Sequence, residues 1–135
     1  MLGLPVWEPS IGHGSFLTIQ FGAPRMASGG YTEGEFHLWV FDALWQIREG
    51  TKIIAHSEED RITMEAGARL LEGASLQSFL FDRERMTLSL RFDRHELEIP
   101  PSGEPEMEEW FLFLEDGSVI TAGPGNALIH ELAGS

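Results

Sequence analysis

"GHGSFLTIQFG", residues 12–22, sets two glycines and a histidine immediately before an alternating apolar run. The fold turns on whether this is a phosphate loop, a catalytic loop or a corner leading into a strand. Leu17, Ile19 and Phe21 share one parity and Phe16, Thr18 and Gln20 the other, which is the period of a strand with one buried face. A phosphate loop presents its backbone N–H groups at a helix N-terminus, commonly with a lysine behind it; here a strand follows and no lysine is near. His13 and Ser15 have the chemistry of a base and a nucleophile, but the segment supplies no third group to orient them. The glycines read as corners.

Outward from this stretch the same period recurs. "EFHLWVFDALWQIR", residues 35–48, is apolar on both parities, with Trp39, Phe41, Ala43, Trp45 and Ile47 on one and Phe36, Leu38, Val40 and Leu44 on the other. A strand covered on both faces reads this way, and so does one that passes from one sheet to another near Asp42. His37 within it is expected to be a hydrogen-bonded structural histidine. Glu49-Gly50 and Asp116-Gly117 are hairpin turns, each preceded by an aromatic strand. Ser57 as N-cap with Asp60 three residues on, acids in the first turn and Gly73 as the stop predict one helix over about 58–72; Gly67 and the alternation in "RITMEA" weaken that reading and leave a short strand as the alternative. "SLQSFLF", "MTLSLRF" and "HELEIP" continue the strands, with Met86, Leu88, Leu90 and Phe92 facing inward in the second. In the repeated Phe-Asp-Arg triplets at residues 81–83 and 92–94, the Phe closes the core and the Asp accepts turn N–H groups. These signals predict a mainly β protein, an antiparallel sandwich or barrel of about seven to nine strands with one short helix, in a single domain over residues 1–135.

Composition narrows the chemistry. The 135 residues include no cysteine, which excludes disulfides, zinc-thiolate sites and thiol catalysis. Neither HExxH nor HxH occurs, and Glu58-Glu59-Asp60 lacks the alternating ligands and central glycine of a calcium loop, so no metal and no cofactor is expected. With 22 acidic against 9 basic side chains the formal charge is −13, which repels nucleic acid and anionic lipid. No basic leader or long apolar run is present, and a cytoplasmic location without membrane association is expected.

"GHGSFLTIQFG", taken with "FHLWVFDALWQI", "LLEG" and "EWFLFLEDGSVITAGPG", resembles a group of uncharacterised bacterial proteins that share a GxGSFLTxxFG / LWxxxxxWxI pattern. That resemblance implies no activity, cofactor or catalytic residue. In size, acidity and β-content alone the chain also resembles immunity proteins that neutralise bacterial toxins.

Three functions compete on the sequence. The first is a non-enzymatic binding protein for a basic protein partner, with Glu104, Glu106, Glu108 and Glu109 around the anchor Trp110 as its surface. The second is a small apolar ligand-binding barrel whose cavity is lined by Phe36, Trp39, Phe41, Trp45, Phe111 and Phe113. The third is a hydrolase-type enzyme using His13, Ser15 and His37 with carboxylates. Pairing of two copies through an exposed strand edge is left open.

Overall fold

The computed structural model describes residues 3–12, 16–23, 25–26, 32–41, 44–101, 108–123 and 127–132. In chain order these form β1 (Val6–Ile11), β2 (Leu17–Phe21), β3 (Arg25–Met26), β4 (Thr32–Glu33), β5 (Phe36–Val40), β6 (Gln46–Glu49) and β7 (Lys52–His56). Then come α1 (Arg61–Arg69), β8 (Ser78–Asp82), β9 (Thr87–Arg91), β10 (Glu96–Ile99), β11 (Trp110–Phe113), β12 (Val119–Ala122) and β13 (Leu128–Glu131). A six-stranded sheet runs β1-β2-β5-β11-β12-β13, a five-stranded sheet runs β7-β6-β10-β9-β8, and β3 pairs with β4. Every pairing is antiparallel.

Among the described residues neither large sheet closes into a barrel, and of the two expected architectures the open one is found; the start of β1 is covered by residues 73–76, which exchange backbone bonds with Gly3–Val6. The strand count also exceeds expectation, with eleven strands in the two large sheets rather than seven to nine. The strands missed are β1 and β13. In β1 the register shifts between Trp7 and Ser10, Glu8 sits at φ 45° and Pro9 interrupts the alternation, so a bulge hides the period.

The alternation in residues 17–21 places Leu17, Ile19 and Phe21 in the core, fully buried. Leu38 and Val40 join them from β5, Trp110 and Leu112 from β11, and Leu88, Leu90, Leu97 and Ile99 from the other sheet, in one apolar cluster. The two apolar parities of residues 35–48 now have a cause. Val40 is buried in the six-stranded sheet and Ile47 in the five-stranded one, with Trp45 just ahead of β6 buried too, so the inward parity flips as the chain passes between sheets. Asp42, where the passage was expected, lies outside the described residues, as does Ala43.

The helix is shorter than expected and its cap is different. Asp60, not Ser57, is the N-cap, its carboxylate accepting the Thr63 N–H at 2.8 Å, and this bonding holds the Asp60 carboxyl below its ordinary value. Glu58 and Glu59 therefore precede the helix instead of filling its first turn. Ser57 Oγ serves Trp45 instead, accepting its backbone N–H at 3.2 Å. After Arg69 the bonds tighten to i→i+3 through Glu72, and Gly73 at φ 82° turns the chain back, its N–H donating to Val6 O. Gly67, which weakened the helical reading, is needed by the packing. A Cβ there would overlap the Ala55 methyl, so glycine lets α1 lie directly on β7.

Met86 is a further correction. It sits in the turn before β9 at φ 49° and is only half-buried, while Leu88, Leu90 and Phe92 face inward as expected. Asp82 accepts the Glu84 and Arg85 N–H groups, whereas Asp93 accepts from the Gln77 side chain. In the β11–β12 hairpin of the six-stranded sheet Asp116 accepts the Ser118 N–H and hydroxyl and is thereby kept below its ordinary carboxylate value. Among the described residues no helix is long and apolar enough to cross a membrane.

Candidate binding face on the six-stranded sheet

Residues directly opposite in a sheet share a face, so the registers generate rows across its width. One row on the face away from the core runs Trp7, Gln20, His37, Phe113, Val119 and Glu131. The next runs Ser10, Thr18, Trp39, Phe111, Thr121 and Ile129. Phe16 and Phe41 extend it beyond the ends of β2 and β5, with ring centroids 5.2 Å apart. This outer face is thus rich in aromatic side chains. Its rings are half-buried, and Phe41 is 46% exposed.

His37 lies inside this face with both partners fixed. Gln20 Oε1 accepts the Gly34 N–H at 2.8 Å, which turns the Gln20 amide nitrogen toward His37 Nε2, 2.9 Å away. The Trp39 indole N–H meets the imidazole ring nearly edge-on, its nitrogen 2.7 Å from Nε2 and 3.2 Å from Nδ1. Because Gln20 Oε1 is committed to Gly34, the amide presents its nitrogen, and Nε2 accepts from it. Burial lowers the His37 value from 6.5 to about 4, so the ring is neutral at pH 7. A histidine so occupied orients its neighbours and leaves no free basic nitrogen at Nε2 for proton abstraction.

The structure separates the residues singled out from the sequence. Trp39, Phe41, Phe111 and Phe113 come together on the outer face. Trp45 is 1% exposed in the core and Phe36 packs against that core, so the six aromatics do not line one cavity. Trp110 also belongs to the core, 2% exposed and in edge contact with Phe81, so its ring is not presented at the surface. Glu108 is exposed and Glu109 buried, while Glu104 and Glu106 lie outside the described residues, as do His13 and Ser15. Among the described residues no group of three or more His, Asp or Glu is placed to hold a metal ion.

The rim of the face is acidic. None of the six strands contains Lys or Arg. Glu8 and Glu131 lie on its edge strands, and Glu35, Glu108, Glu115 and Asp116 flank the ends of β5 and β11. A sequence signal for this existed and was missed. Residues 46–99, which supply the five-stranded sheet, hold eight of the nine basic side chains against eleven acids, whereas the two flanking segments, which supply the six-stranded sheet, hold eleven acids and a single arginine. By contrast, a groove of about 390 Å³ on the five-stranded sheet is lined by Arg48, Arg91 and Arg94, and Glu96 bridges the first two at 2.8 and 3.5 Å.

Compared with protein-family models, with curated proteins and with solved structures, the chain finds no match in any of the three.

Proposed function

We propose that this is a non-enzymatic binding protein that docks a basic protein partner on the outer face of its six-stranded sheet. The observation that carries this reading is the coincidence, on one sheet, of a half-exposed aromatic face, an acidic rim and strands without a single Lys or Arg. Aromatic side chains supply affinity at the centre of an interface, and complementary charge around them speeds encounter and rejects acidic competitors. The Glu104–Trp110 surface is replaced by this face because the Trp110 ring is buried. A basic toxin, neutralised by being covered, is one partner of the required chemistry.

A photo-crosslinking residue placed at position 41 tests the reading, with position 80 on β8 as control, since Leu80 is also exposed at 63%. Position 41 should capture one defined protein of net positive charge, and moderate salt should release it before irradiation. Equal capture from both positions, or none from position 41, would overturn the proposal.

A further inference from the structure

The ring contacts on the outer face close on themselves. Phe16 meets Trp39 at 5.7 Å between centroids, Trp39 meets Phe113 at 4.8 Å and Phe113 meets Phe111 at 6.3 Å. Phe111 meets Phe41 at 6.4 Å, and Phe41 returns to Phe16 at 5.2 Å. Four of these five contacts are steep, with planes inclined by 60–78°, so the rings cannot all lie flat on the sheet and some stand as walls beside others. The middle of a regular circuit with sides of this length lies about 5 Å from each centroid, inside the roughly 6 Å reach over which a ring face attracts a cation.

We infer that this circuit of Phe16, Trp39, Phe113, Phe111 and Phe41 is a seat for one cationic side chain, the ammonium of a lysine or the guanidinium of an arginine, presented by the partner. The inference rests on the proposed docking face and names the group that enters it. Three features favour a cation over an apolar side chain. Aromatic faces carry negative quadrupole charge and attract a cation that reaches them. The surrounding acids attract positive charge, and no Lys or Arg of the six strands competes for the seat. The neighbouring His37, whose ring centroid is 5.4 Å from that of Trp39 and 5.9 Å from that of Phe113, is uncharged and so does not repel the incoming group.

The test uses three probes of similar length: N-acetyl-lysine amide, N-acetyl-arginine amide and the uncharged N-acetyl-norleucine amide. Each is titrated into the full chain while aromatic and indole NMR signals are followed. One or both cationic probes should shift the signals of the five rings and bind more tightly than norleucine. Phe41→Leu, which keeps apolar bulk at an exposed position but removes the ring face, should weaken the cationic probe by about three- to tenfold and leave norleucine unchanged. Norleucine binding as well as both cations, or an unchanged affinity in Phe41→Leu, would overturn the inference. Crosslinking of a basic protein at position 41 would in that case still support the docking face. If cationic probes bind and no basic protein is captured, the seat stands and the docking proposal fails.

Discussion

The indole N–H of Trp39 and the imidazole Nε2 of His37, two positions apart on one face of β5, lie 2.7 Å from each other. The same nitrogen faces the Gln20 amide, and Gln20 is in turn held by the Gly34 N–H. This chain of contacts ties the orientation of the most central ring on the outer face to a neutral histidine.

Acid should therefore weaken the protein partly through His37. Its folded-state value of about 4 lies below the ordinary 6.5, so between those pH values the unfolded chain binds a proton that the folded chain does not. This contribution is full above pH 6.5 and declines as the pH falls toward 4. Because the ring is partly solvated, the loss is about 1–2 kcal/mol, less than the whole shift implies. Urea midpoints of wild type and His37→Asn at several pH values should show a shallower decline in the variant; parallel curves would refute the assignment.

Gly67→Ala should destabilise, although alanine is the better helix former. The new methyl collides with Ala55, and overpacking of about 1–3 kcal/mol exceeds the roughly 1 kcal/mol gain in propensity. Adding Ala55→Gly should recover most of the loss in urea titrations. Failure of that rescue would mean that α1 does not rest on β7.

Arg61 joins the helix to the corner where the chain enters β2, donating to Ile11 O at 2.7 Å and to Gly12 O at 2.8 Å. Arg61→Ala should cost about 1–2 kcal/mol and speed amide exchange at Gly12, whose N–H bonds to Phe16 O. Arg61→Lys should rescue little, since an ammonium lacks the planar fork that spans two carbonyls.

The two tryptophans of residues 35–48 should separate cleanly. Trp45→Ala empties the core and should cost about 3–5 kcal/mol, whereas Trp39→Ala, on the outer face, should cost clearly less. Circular dichroism in urea measures both, and equal losses would contradict the parity flip between them.

Much of the architecture was legible because it depends on alternation alone. Leu17, Ile19 and Phe21, or Leu88 and Leu90, announce a buried face whatever lies across from them. What escaped depends on partners distant in sequence. Gln20 alternates like a solvent-facing residue yet is 8% exposed, because Gly34 and His37 use its amide. Asp60 and Ser57 are both good caps by composition, and only the demand of the Trp45 N–H decides between them. Trp110 reads as an anchor beside acidic residues until β11 is registered against β5, which turns its ring inward. The outer aromatic face was half visible, in Trp39, Phe41, Phe111 and Phe113, but its membership needed the cross-strand rows.

The strand order also has a consequence for how the chain comes together. The five-stranded sheet is drawn from one continuous stretch, residues 46–99, whose strands are joined by short turns and the helix. In the other sheet β5 lies between β2 and β11, so Leu38 must wait for Leu112. Local pairings close quickly and distant ones late. During synthesis the middle of the polypeptide can condense first, while the layer that bears the aromatic rings remains incomplete until the last strands leave the ribosome.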